Sequence, residues 1–228
     1  MKSDLLKKPF HIIIIILFIL LGCACSASEE NQSVEPQKVQ KTAVQSHSPF
    51  GLYEVLVEDF YTMTREEGKK WQYAFDLLDY EKVLVLGELT SEEDYTRHSK
   101  YLEQYLSASK EYLAFLENLE TKATENFIAY GLSAKQVAPV VKNLLTTYEK
   151  QKATLISLLG THIDYGTKMQ SLLQFLHTKQ QHWKLVNNQI DMEDKKLAKQ
   201  YNAIIDEIVA IEDQIEHYSK ELDFHLKK

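Results

Sequence analysis

The chain has 228 residues, with 26 basic and 33 acidic side chains for a net charge of −7, and 44% of its residues are hydrophobic. That apolar share is enough for a packed core, and the negative charge argues against a general nucleic-acid binder. Seven glycines and four prolines are too few for a sandwich or barrel that turns about every 8–12 residues, and two cysteines cannot build a disulfide framework.

The first segment reads as a secretory signal. Lys2, Lys7 and Lys8 form a basic start, and residues 12–21 are all apolar. As a helix those residues span about 15 Å, half of a hydrocarbon core of about 30 Å, which suits a signal better than a membrane span. The run ends at Leu20-Leu21-Gly22-Cys23. This resembles the lipobox of bacterial lipoproteins, with leucine at −3, a small residue at −1 and cysteine at +1; Leu21 is larger than the usual −2 residue. The resemblance implies that diacylglycerol is attached to the sulfur of Cys23 and that the chain is cut just before it. Only a thiolate supplies the nucleophile, and two or three acyl chains, at about 0.8 kcal/mol per buried methylene, hold a protein firmly on a bilayer. An uncleaved anchor over about residues 10–27 and an ordinary secretory signal are the alternative readings.

Loss of residues 1–22 removes three lysines and one aspartate, so the mature charge is −9. Charge that negative does not hold a protein on anionic headgroups, so the expected membrane contact is the lipid alone. Cys25 has no obvious role. The chain beyond it has no cysteine, so its fold does not depend on an oxidising compartment. The resemblance places the protein in the cell envelope. In a Gram-negative cell, Ala24 after the cysteine implies the outer membrane, facing the periplasm. In a Gram-positive cell the outer face of the plasma membrane is implied.

Three regions follow: a signal over 1–22, the lipidated Cys23 with a tether over 23–49, and a helical domain over 50–228. Residues 26–49 are rich in Ser, Gln, Glu and Lys and lack aromatic residues. Such a segment reads as a flexible tether with a reach of about 25–30 Å.

The rest reads as helices. A first one is expected over about 51–89, with Leu56, Phe60 and Met63 in one phase and Trp71, Phe75, Leu78, Val85 and Leu89 in another. The shift between them predicts a kink or break near Gly68. A second helix is expected over about 91–130, opened by a Thr90/Glu93 capping box and stopped by Gly131. Its buried face carries Leu102, Tyr105, Leu106, Leu113, Leu116, Leu119, Ala123, Phe127 and Tyr130. Tyr95, Tyr101, Tyr105 and Tyr112 read as bundle-edge residues with the ring buried and the hydroxyl out, or as a partner-binding strip.

A third helix, of about 50 residues, is expected after a Ser133/Gln136 capping box. One heptad phase runs from Val137 through Val141, Leu144 and Tyr148 to Trp183 and Val186 without slipping at Gly160 or Gly166, so one continuous helix is expected rather than two. Pro139 is a candidate kink, and Asn187-Asn188 a candidate exit turn. The last helix, capped by Asp191 or Asp194, repeats Leu197, Tyr201, Ile204, Ile208, Ile211, Ile215, Tyr218 and Leu222 at spacings of three and four. Ile205 and Val209 widen that stripe, which predicts more than one neighbour.

The expected fold is all-α: an elongated antiparallel bundle of about four long helices with coiled-coil-like packing. No phosphate loop, nucleophile elbow, zinc motif or di-iron pattern occurs. No catalytic, cofactor-binding or metal residue is assigned, and an enzyme is not expected. Asp213, His217, Glu221 and His225 share a helix face and read as a solvated ladder or a weak metal site. His177 and His182 are poorly placed to share an ion. His162 lies in the seam and reads as a hydrogen-bonded core histidine or a register-setting polar residue. The expected function is that of a membrane-anchored envelope lipoprotein whose bundle is an interaction or spacer module with an envelope protein partner. A small-molecule or lipid-binding bundle is the alternative.

Overall fold

A computed structural model describes residues 49–78, 89, 91–186 and 189–226. The signal, Cys23, Cys25, the tether up to residue 48, Thr90, Asn187-Asn188 and the expectation for Val85 lie outside the described residues, whereas Pro49, expected to end the tether, lies in a helix. The described residues form an all-α bundle of five helices packed against each other.

Helix α1 spans Pro49–Leu78. Its first residue is a proline, which lacks an N–H that a helix start cannot use anyway. Leu56, Phe60, Trp71, Ala74 and Leu78 are buried along it. Of the expected kink or break near Gly68, no break occurs: the helix continues through it as one element. The glycine serves a neighbour instead. A Cβ there would lie 3.3 Å from the Tyr112 hydroxyl.

Helix α2 spans Glu92–Glu117 and is opened by a capping box of Ser91 and Asp94, one residue later than Thr90 and Glu93. The Ser91 amide donates to Asp94 Oδ2 at 3.0 Å, and the Asp94 amide donates to Ser91 Oγ at 3.2 Å. The single helix expected over 91–130 is divided at Asn118. There φ is −97° and ψ is 15°, and α3 follows at once over Leu119–Ile128. Asn118 donates from its side chain to the Ala114 carbonyl at 2.8 Å, a local bond that lets asparagine compete with the helix ladder. Leu119, Ala123 and Phe127 bury the face of α3. Gly131 closes the turn with φ +83°.

Helix α4 spans Ala134–Thr178, 45 residues and about 67 Å at 1.5 Å per residue. It begins at the expected box, with the Ser133 amide donating to Gln136 Oε1 at 3.0 Å. It is continuous through Pro139, Gly160 and Gly166. Its end differs from the expectation near 186. The helix stops at Thr178, a 3₁₀ turn covers Gln180–His182, and strands β1 (Lys184–Val186) and β2 (Gln189–Asp191) pair antiparallel, Val186 facing Gln189. Trp183 fixes this exit: its indole N–H donates to the Leu176 carbonyl at 2.9 Å, one of the acceptors left open in a last helical turn. Helix α5 spans Lys195–Leu226. Of the two candidate caps Asp194 serves, accepting from the amides of Lys196 at 2.7 Å and Leu197 at 3.2 Å.

All the other helices pack on α4 or on its partner α2. Tyr53 meets Asn143, Phe60 meets Tyr148 and Trp71 meets His162, so α1 runs parallel to α4. Glu92 meets His177 and Tyr105 meets His162, so α2 runs antiparallel to it. Lys168 pairs with Glu207, which sets α5 antiparallel as well. The expected seam of α4 is its buried face, from Val137 and Val141 through Leu155, Leu158 and Met169 to Leu176. Each such side chain contributes about 1.5–3 kcal/mol on full burial. On α5, Ile208, Ile215 and Leu222 are buried, while Tyr201, Ile204, Ile205 and Ile211 are half-buried, and α4 is the helix it packs against most. No helix of the described residues is long and apolar enough to cross a membrane.

The two glycines of α4 differ in what surrounds them. A Cβ on Gly166 would come within 2.8 Å of Leu106 Cδ2 and 3.1 Å of Tyr105 Cε1, whereas nothing lies within 4 Å of one on Gly160. Gly160→Ala is therefore expected to gain up to about 1 kcal/mol in urea unfolding from helix propensity. Gly166→Ala is expected to lose about 1–3 kcal/mol from overpacking. Equal shifts in the two variants would contradict the close approach of α2 and α4.

Candidate functional site

Two polar clusters emerge from the packing, one sealed and one open. The sealed cluster forms where α1, α2 and α4 meet. Trp71 of α1 donates its indole N–H to Ser109 Oγ of α2 at 3.0 Å, and Ser109 in turn donates to the Tyr105 carbonyl at 2.8 Å. The Tyr105 hydroxyl and His162 Nδ1 of α4 share a 2.5 Å hydrogen bond. Ser109, Tyr105 and His162 have no exposed surface. The His162 ring stands edge-to-face against Trp71 at 5.1 Å and Phe75 at 5.7 Å. Its Nε2 finds no hydrogen-bond partner among the described residues. With Tyr105 donating to Nδ1, Nε2 carries the proton, and the packed rings offer it π faces. This is the core histidine with a hydrogen bond expected from the seam.

Burial acts on these groups in opposite directions. It pushes the His162 imidazole down to about 3. It pushes the Tyr105 phenol well up, with the Ser109 contact pulling slightly the other way. Both groups are thereby kept neutral. Tyr112 and Tyr148 are raised in the same way. The edge position expected for Tyr95, Tyr105 and Tyr112 is overturned, because all three are buried whole. Only Tyr101 keeps the half-buried place. The segments that cover these rings are distant in the chain, and the sequence does not display them.

The open cluster lies where the start of α2 faces the end of α4. His177 Nε2 and Glu92 Oε2 are 2.7 Å apart. The His177 ring stacks on Tyr95 with centroids 4.4 Å apart and planes at 27°. Tyr95 is 3% exposed, and its hydroxyl has no hydrogen-bond partner among the described residues. Desolvation, then the Asp94 and Glu92 carboxylates, raise its pKa. From this end a groove of about 670 Å³ runs between the two helices, past Ser99 and Glu103 on one side and Gln170 and Gln174 on the other. Sequence reasoning missed this group. His177 and Tyr95 are 82 residues apart, and no spacing rule links them. A smaller cleft of about 410 Å³ lies at the hairpin, where Lys184 bridges Asp191 at 3.6 Å and Glu193 at 3.4 Å in the open.

Of the other singled-out residues, Asp213, His217 and Glu221 are exposed on α5, and the side chain of His225 is outside the described set. Among the described residues no group of three or more His, Cys, Asp or Glu side chains is placed to hold a metal. His177 sits in α4 and His182 in the 3₁₀ turn beyond it. Compared with known proteins, the chain matches no family model, no curated protein and no solved structure.

The sealed histidine has a consequence for acid stability. Its folded pKa lies below the unfolded value of about 6.5, so its contribution is complete above about pH 6.5 and is lost as the pH falls toward about 3. Urea titrations across that window are expected to show a steeper loss for the natural chain than for Tyr105→Phe/His162→Leu, which removes both partners together. His162→Leu alone strands the Tyr105 hydroxyl and is expected to lose about 1–3 kcal/mol at neutral pH. Parallel acid profiles for the natural chain and the double variant would refute the buried neutral imidazole.

Proposed function

We propose that the protein is a cell-envelope lipoprotein, anchored through Cys23, whose helical bundle acts as an interaction or spacer module. The single observation that carries the anchor is the run Leu20-Leu21-Gly22-Cys23 directly after ten apolar residues. The module reading rests on shape and filling. Helix α4 alone supplies a rod of about 67 Å. The seam along it is closed by Leu, Val, Met and Tyr side chains and by the hydrogen-bonded Tyr105–His162 pair. The two cavities described above are open at the surface and lined mostly by charged, hydroxyl and amide residues, which favours a module over a bundle that encloses a lipid or an apolar molecule. Its mechanism is positional. The lipid fixes one end of the chain, residues 26–49 supply reach, and the bundle presents its flanks to an envelope partner.

The anchor is tested in a bacterial host by fractionation. Cys23→Ala is expected to abolish processing at the signal and to remove the lipid-modified form, detected by labelling with a fatty acid. The released or unprocessed chain then separates from the natural one by mobility. Labelling and mobility identical to the natural chain would refute Cys23 as the attachment point.

A further inference from the structure

The geometry points to the groove between α2 and α4 as a binding site for an uncharged saccharide chain, with Tyr95 in its lining. The inference names a partner class for the interaction module proposed above, but its test does not depend on the anchor.

The hydroxyls along the groove are already oriented. Thr96 Oγ1 donates to the Glu92 carbonyl at 2.9 Å, Thr167 Oγ1 to the Ile163 carbonyl at 2.8 Å, and Ser171 Oγ to the Thr167 carbonyl at 3.0 Å. Ser99 Oγ donates to Glu103 Oε1 at 3.2 Å. Each hydroxyl has therefore spent its proton inside the protein, and only lone pairs remain for a ligand. Glu92 and Glu103 add acceptors. The complement is a ligand that brings many O–H donors. Gln170 and Gln174 supply amide groups of both polarities, which match sugar hydroxyls and acetamido groups alike.

Other ligand classes fit less well. Leu173 is the one aliphatic residue of the groove's lining, so a hydrocarbon chain would leave the polar wall unpaired. Two carboxylates against Lys100 repel phosphate groups. In the same lining, Tyr95 is buried with its ring stacked on His177 and its hydroxyl without a partner among the described residues. A stranded buried hydroxyl is unfavourable by about 1–3 kcal/mol, and a bound sugar hydroxyl that reached it on a small shift of His177 would relieve that.

The test uses the purified full chain in a sugar-free detergent. Saturation-transfer NMR is run with cellotriose and with triacetylchitotriose, and circular dichroism checks that each variant keeps its helices. Transfer to at least one of the sugars is expected, weakened about tenfold in Gln170→Ala/Gln174→Ala. Tyr95→Phe is expected to weaken it as well, whereas a hydroxyl without a ligand role would leave binding unchanged. Absence of transfer to both sugars at millimolar concentration overturns the proposal. So does transfer that the Gln170/Gln174 variant leaves intact, or selective binding of a polar peptide in place of either sugar. Retention of Cys23 lipidation in a non-binding protein would leave the anchor reading standing and this one refuted.

Discussion

At Gly166 a side chain is missing where α2 lies close against α4. Leu106 and Tyr105 occupy the volume that a Cβ would take. One helical turn earlier, His162 receives the Tyr105 hydroxyl. Close approach and hydrogen bond belong together: the ring of Tyr105 reaches across only because the backbones are near. The same tyrosine's carbonyl accepts from Ser109, and Ser109 accepts from Trp71. One crossing point thus ties three helices in register. Apolar packing alone is non-directional and tolerates sliding by a heptad. The polar chain does not, because a slip strands several buried donors at once.

The remaining helices follow from α4. It is the longest element, and its seam from Val137 to Leu176 is buried along its length. α2 and α3 pack along it, α1 packs chiefly on α2 and reaches α4 through Phe60 and Trp71, and α5 returns along it. The stripe of α5 is buried at Ile208, Ile215 and Leu222 but only half-buried at Tyr201, Ile204, Ile205 and Ile211. The outer ion pairs, Lys70–Glu67 and Lys220–Glu216 among them, lie at the surface and add little. Stability therefore resides in the seam and in the crossing at Gly166.

Two kinds of polar group result, and they suit different roles. His162 and its partners are sealed and held neutral by burial, which fits a register device. His177, Glu92 and Tyr95 sit at an open helix junction beside a groove, where a ligand or partner has access. The contrast comes from place in the bundle. The same residue types occur in both clusters.

Sequence alone determined what depends on local chemistry. The heptad of α4 and the caps at Ser133, Asp194 and Gly131 are all written in neighbouring residues. That His162 belongs to the seam was legible for the same reason. Other features waited for tertiary structure. Gly68 looked like a break and proved to make room for Tyr112. Asn118 divides a helix whose apolar pattern continues through it. The heptad of α4 runs on to Val186, yet Trp183 turns back on the Leu176 carbonyl and a hairpin begins. Tyr95, Tyr105 and Tyr112 went inside because rings of other helices were there to receive them, and for Tyr105 a hydrogen-bond partner as well. The physical reason is common to all four cases. Periodicity reports which face of a helix is apolar, whereas the fate of a glycine, a hydroxyl or an imidazole depends on the atoms that a distant segment brings beside it.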